Sequence, residues 1–166
     1  MTRRQIEHVK KRVAVAAAGT GGHVFPAMAV AEVLQQQGIE VIWFGVNDGK
    51  TRDWVATLDV VWIALFARPM MGMRLLGQCL GLVALGVAFL QALYVLWHHR
   101  IQWVVVFGGY VSAPVGLAAW ILRRPLVLHE QNAVAGRANA MLAPMAQKIF
   151  TAFPDVLASD RTVLVG

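Results

Sequence analysis

Apolar and polar positions alternate along this chain in blocks rather than residue by residue. Residues 13–18 are an unbroken apolar run, suited to a strand buried on both faces, and the glycine turn Gly19-Thr20-Gly21-Gly22 follows it. Pro26 then stands before residues 27–34, where alanine-rich apolar positions have helical spacing and predict a helix. The same succession returns with predicted strands at 40–45, 60–66, 103–107 and 126–128. Helices are predicted over 114–122 and 134–147, with a weaker short one over 54–58, and strands at 148–152 and 162–165 close the pattern. Alternation of this kind predicts an α/β, Rossmann-like fold: a parallel sheet with helices on both faces.

Ligands of such sheets sit beyond the carboxyl ends of the strands. Three predicted strand ends carry polar or glycine-rich loops, residues 19–23, 108–112 and 129–132, and all three should open on one edge. A glycine turn running into a helix is an anion site, because the backbone can approach the ligand and the first free N–H groups point at it. Thr20 adds a hydroxyl there, and His23 a group that exchanges a proton near neutral pH. A dinucleotide-binding turn would need a third glycine where Val24 stands, which counts against a nicotinamide-dependent oxidoreductase. The Gly-Lys-Ser/Thr triplet of a P-loop occurs nowhere in the chain.

One segment breaks the pattern. Residues 75–97 are 23 residues without a charge, long enough to span a bilayer. Strands before and after it must pair in one sheet, however, and Arg68, Arg74 and Arg100 flank both ends without asymmetry. Gly77, Gly81, Ala84 and Ala88 form a small-residue stripe suited to close packing on the domain. The bulky remainder, with Leu82, Leu85, Phe89 and Trp97 foremost and Met70, Met71 and Met73 beside them, is then expected to enter a lipid interface from one side.

Composition supports that picture. The 166 residues suffice for one domain with a real core; 58% are hydrophobic and 14% charged, with a mean hydropathy of +0.57, values far from disorder and leaning toward membrane association. Much of the net charge of +6 lies in residues 1–12, where Arg3, Arg4, Lys10, Lys11 and Arg12 face Glu7 alone. Without interleaved aromatics, this basic arm suits an anionic membrane surface better than nucleic acid. Only six apolar residues follow it before the turn, too few for a signal peptide. Cys79 is the single cysteine, which excludes an intrachain disulfide and fits a reducing cytosolic setting.

Three motifs carry a family resemblance. The first is Gly19-Thr20-Gly21-Gly22-His23-Val24-Phe25-Pro26. The second is Gly108-Gly109-Tyr110-Val111-Ser112, followed by Gly116-Leu117-Ala118-Ala119-Trp120. The third is Leu128-His129-Glu130-Gln131-Asn132, with Ala135-Gly136 and Asn139 after it. In order and spacing, residues 13–166 resemble the N-terminal half of the MurG family. These bacterial transferases add N-acetylglucosamine (GlcNAc) from UDP-GlcNAc to the lipid-linked muramyl-pentapeptide precursor of peptidoglycan, and so serve cell-wall growth, shape and division. The resemblance implies a GT-B architecture of two Rossmann-like domains, in which residues 13–166 form the acceptor and membrane-associating domain and a donor domain would follow Gly166.

It further implies inversion, with the acceptor hydroxyl attacking the anomeric carbon directly. The catalytic residues would be His23 as general base, with Tyr110 and Glu130; Thr20, Gly21, Gly22, Asn132, Gly108 and Gly109 would bind substrate. No cofactor is implied, and no Asp-x-Asp metal motif is present. The implied partners are UDP-GlcNAc, the lipid-linked acceptor and anionic lipid at the cytoplasmic face of the inner membrane. The chain departs from the family at Ala18 and Ala133, which replace glycines, in residues 67–73, and in residues 48–52, where the expected acidic residue is not evident. Alone, such a half should have little transferase activity, since the cleft lacks its second wall. A truncated piece is favoured over a split enzyme or a degenerate relative. The rival reading is a non-catalytic membrane-anchoring subunit that recruits a separate donor-binding chain.

Overall fold

The computed structural model describes residues 11–67 and 75–166, with the backbone alone at 75–79. Most of the predicted basic arm, Arg68, Met70, Met71, Met73 and Arg74 lie outside the described residues, as does the side chain of Cys79. The strands are β1 (Arg12–Ala16), β2 (Glu40–Val46), β3 (Val61–Leu65), β4 (Trp103–Val106), β5 (Leu126–Glu130), β6 (Lys148–Thr151) and β7 (Thr162–Leu164). The helices are α1 (Gly21–Gln36), α2 (Lys50–Val55), α3 (Leu75–His98), α4 (Ser112–Ile121) and α5 (Arg137–Leu142), the last continued by a 3-10 turn, Ala143–Met145. All seven strands pair in parallel, in the order β3-β2-β1-β4-β5-β6-β7.

Alternation along the strands divides the core into two layers. Ala14, Ala16, Ile42, Phe44, Val104, Val106, Leu126 and Leu128 face α3, α4 and α5, where they meet Ala88, Ala92, Leu96, Val115, Ala119 and Leu142. Val15, Val41 and Trp43 face the other way, onto Val24, Ala27 and Ala31 of α1 and Val55 of α2. The strand order reverses between β1 and β4, which opens a crevice at their carboxyl ends.

Two helices begin a turn or more earlier than the sequence predicts. Pro26 reads as a first-turn residue, yet α1 starts at Gly21 and carries Pro26 inside it. Proline offers no N–H to the carbonyl of Gly22. Burial of Val24, Ala27 and Ala31 against the sheet keeps the helix intact around that lost bond. His23 is thereby a first-turn residue rather than a loop residue. The helix predicted at 54–58 is α2, started instead by Asp48, whose carboxylate accepts the Thr51 N–H at 2.9 Å and its hydroxyl at 2.7 Å. The helix predicted at 134–147 is shorter, running only through α5 and its 3-10 turn, where Pro144 stands. Arg12, assigned from sequence to the arm, belongs to β1: its Nε donates to Glu40 at 2.9 Å and its guanidinium also reaches the carbonyl of His99.

In α3, Gly81, Ala84, Ala88, Ala92, Val95 and Leu96 are buried, and the helix packs along α4. Its outer face exposes Leu80, Leu82, Val83, Val87, Leu90, Tyr94 and Trp97, the last at 64%. Leu85 and Phe89 do not share that face. They stand one helical turn from Ala88 and Ala92 and are half-buried, with Phe89 packed against the core.

Candidate functional site

Three strands deliver their ends to the crevice. Beyond β1 the chain stays paired, with the Ala17 N–H on the Phe44 carbonyl and the Ala17 carbonyl accepting from the buried Trp43 indole at 3.2 Å. Thr20 is extended and makes no side-chain capping bond to α1. The N–H groups of His23 and Val24 donate to the Thr20 carbonyl, and those of Gly21 and Gly22, at the start of this 16-residue helix, are left to a ligand or to water.

Beyond β4, Gly108 and Gly109 adopt φ of 95° and 76°, a region side chains rarely enter. A Cβ on Gly108 would come within 3.0 Å of His23 Cε1, and one on Gly109 within 3.0 Å of the Ala18 carbonyl. Only glycine lets the second loop lie against the first. Buried Ser112 fixes the loop's shape: its hydroxyl accepts the Gly108 N–H at 3.0 Å and donates to the Gly108 carbonyl at 2.7 Å. Tyr110 rests against Gly19, and burial, followed by the negative charge of Asp48, pushes its hydroxyl above the usual value of 10.0. It therefore keeps its proton at physiological pH.

The loop after β5 is organised around Glu130, which is fully buried. One carboxylate oxygen accepts the Asn132 N–H at 3.0 Å and its side-chain amide at 2.8 Å. The other accepts the Gly136 N–H and the Asn139 amide, both at 2.9 Å. Asn139 also donates to the His129 carbonyl at 3.0 Å. Neighbouring Gln131 reaches across the crevice to His23, its side-chain nitrogen 2.5 Å from Nδ1. Burial lowers the proton affinity of His129, and Gln131 and then Glu130 act in the opposite direction. The His129 ring stands 5.2 Å from that of Phe107.

The three predicted loops thus meet at one edge. His23 fills the space a side chain at Gly108 would take and meets Gln131, while Thr20, Gly22 and Asn132 are exposed around them. Glu130 stands apart from its expected catalytic grouping: it has no exposed surface, and both its oxygens are taken up by its own loop. Sequence reasoning gave no role to Gln131 or Asn139, although both lie in the quoted third motif. A glutamate at the end of a buried strand, followed by Asn, Gly and Asn, was the available sign that its charge is met by neighbouring donors. Among the described residues no three His, Cys, Asp or Glu side chains gather as a metal site would need. A groove lined by Lys11, Leu34, Ile39 and Trp103 lies at the opposite, amino-terminal edge of the sheet and holds none of these residues.

A doubly wound parallel sheet with this glycine turn at its switch point is the N-terminal domain of a GT-B glycosyltransferase. Residues 13–151 match the glycosyltransferase family 28 N-terminal domain, and the chain belongs to that family. Over 145 residues it is 45% identical to the UDP-N-acetylglucosamine--N-acetylmuramyl-(pentapeptide) pyrophosphoryl-undecaprenol N-acetylglucosamine transferase of Alkalilimnicola ehrlichii, an alignment covering 87% of this chain and 41% of that protein. The transferase of the same name from Acidithiobacillus ferrooxidans is 48% identical over 145 residues, covering 86% and 39%. The crystal structure of MurG from Acinetobacter baumannii superposes with a TM-score of 0.84 at 36% identity, over 93% of this chain and 45% of that one. The chain therefore spans about two-fifths of the length of these relatives.

Proposed function

We propose that this chain is the acceptor-side half of an inverting UDP-GlcNAc transferase, one that adds GlcNAc to an undecaprenyl-diphosphate-linked N-acetylmuramyl-pentapeptide. The observation that carries the reading is the meeting of His23 with the loops after β4 and β5, beside the uncapped start of α1. The acceptor sugar hydroxyl attacks the anomeric carbon of GlcNAc while His23 Nε2 takes its proton. The new C–O bond forms as the bond from that carbon to the diphosphate breaks. The electron pair leaves with UDP, and the configuration inverts.

Gly21 and Gly22 supply N–H groups, and α1 its dipole, to diphosphate charge in the cleft. Thr20 and Tyr110 offer hydroxyl donors beside them, and Asn132 reaches toward the donor across the cleft. Glu130 acts through its loop, holding Asn132 and Gln131 in place, and does not meet the substrate itself. The second wall and most of the UDP-sugar contacts belong to a donor domain.

The outer face of α3 is the membrane-contacting surface in this reading. Leu80, Val83, Val87 and Leu90 enter the lipid interface, and the amphipathic rings of Tyr94 and Trp97 sit at the headgroup level near Arg100. The protein is then peripheral, on the cytoplasmic face of the bacterial inner membrane, with anionic lipid as its partner. The test is to fuse the chain to the remaining portion of the Acidithiobacillus ferrooxidans relative. Transfer of labelled GlcNAc from UDP-GlcNAc to the lipid-linked acceptor is then measured, with the chain alone as control. The fusion should glycosylate the acceptor and the chain alone should not. A folded fusion that binds UDP-GlcNAc yet transfers nothing contradicts the reading.

A further inference from the structure

His23 is constrained from two directions. Its ring occupies the space a side chain at Gly108 would take, beside Cε1 and Nδ1, and Gln131 is its one side-chain hydrogen-bond partner among the described residues. Ring orientation is therefore set by packing, and what remains to be set is which nitrogen carries the proton. A neutral imidazole acts as a base only at its bare nitrogen. Gln131 stands at Nδ1, which leaves Nε2 as the nitrogen without a partner among the described residues.

A carboxamide presents ends of nearly equal size and opposite hydrogen-bonding sense. In the arrangement described, the NH2 end of Gln131 faces Nδ1, which requires Nδ1 to accept and places the proton on Nε2. That arrangement leaves the Gln131 carbonyl oxygen buried with no hydrogen-bond partner. The Nδ1 of His129, the other histidine against which this amide lies, is also buried without one. Bare buried polar atoms are costly, and here one belongs to this amide and the other to the His129 ring beside it.

We infer that Gln131 is a positioning residue for the proposed transfer: turned half a revolution about its terminal bond, its carbonyl accepts the Nδ1–H of His23 and leaves Nε2 bare to take the proton. The same turn directs an N–H toward His129, whose ring burial keeps neutral and able to accept. Both orphaned atoms then find partners without any backbone movement. The amide couples the proton positions of the two histidines, since a proton on Nδ1 of His23 goes with a bare acceptor on His129. This inference rests on His23 as the base, while the proton's position on the ring can be measured without any transfer reaction.

Long-range 1H–15N spectra of the chain with labelled histidine, at a slightly alkaline pH, report the tautomer directly. The His23 signals are identified by their loss in His23→Ala. The wild-type ring should be in the Nδ1–H form. Gln131→Leu should shift it toward Nε2–H, while Gln131→Glu, whose carboxylate only accepts, should retain Nδ1–H. A wild-type ring in the Nε2–H form, or a Gln131→Leu ring that keeps Nδ1–H, overturns the inference. In the transferase fusion, Gln131→Leu should lower kcat by about tenfold or more with KM unchanged, and Gln131→Glu should restore most of it. If His23→Ala leaves turnover intact while the spectra behave as expected, the base assignment fails and the tautomer assignment stands.

Discussion

The β5–α5 loop and the outer face of α3 solve opposite problems. In the loop a buried charge is met in full: Glu130 accepts four hydrogen bonds from Asn132, Gly136 and Asn139. Both carboxylate oxygens are occupied by the loop's own donors. On α3 a row of large apolar side chains from Leu80 to Trp97 is left uncovered by the domain. A polar group satisfied internally marks a scaffold, and an apolar face left open marks a contact with something outside the fold. His23 lies between these cases, held by Gly108 and Gln131 yet with one nitrogen still free.

The largest expected effect tests the scaffold side. Glu130→Ala strips the acceptor from several buried donors and should cost about 3 kcal/mol or more in chemical denaturation. A loss under about 1 kcal/mol would mean that water or another group satisfies the loop. On the open side, Val83→Ser, Val87→Ser and Leu90→Ser together should weaken binding to anionic vesicles by about a hundredfold, on the order of 1 kcal/mol for each side chain withdrawn from lipid. The thermal midpoint should hardly move. Phe89→Ser is the internal control: packed against the core, it should lower stability by about 2 kcal/mol. Equal stability losses for the two variants would erase the distinction between the two faces of α3.

Smaller changes sharpen the site. Gly108→Ala forces a side chain into positive φ and against His23, which should cost about 1–2 kcal/mol and disturb the His23 resonances. The smallest effect concerns His129. The unfolded ring takes up a proton near its ordinary value of 6.5, while the folded ring resists it because of burial. The unfolded state thus binds more protons as pH falls below that value, and stability should decline on acidification from there. His129→Gln should flatten that part of the pH profile in a denaturation series.

Much of this was legible in the sequence. Unbroken apolar runs between glycine and polar loops marked β1 to β5, as a parallel sheet covered by helices requires; the short closing strands carry Lys148, Thr151 and Thr162 and were read at 148–152 and 162–165. Convergence of residues 19–23, 108–112 and 129–132 followed from strand polarity alone. What stayed hidden depends on distance in the chain or on competition. The His23–Gln131 contact joins residues 108 positions apart and has no local signal. Pro26 is favourable in a first turn, so the sequence puts the helix start there, and only burial of Val24 shows that tertiary packing overrides the preference. In α3 nearly every residue is apolar, so periodicity marked the small-residue stripe but could not tell which bulky side chains face outward. Leu85 and Phe89 were grouped with the outward row for that reason, where the structure has them half-buried.

The central claim is that the open nitrogen of His23 takes the proton of the acceptor hydroxyl at this sheet edge. It is tested most directly by comparing wild type with His23→Ala in the transferase fusion, measuring kcat and both Michaelis constants. The account predicts that kcat falls by about a hundredfold or more while the Michaelis constants stay nearly constant. An unchanged kcat with a raised Michaelis constant would contradict it, making His23 a binding residue and placing the base elsewhere.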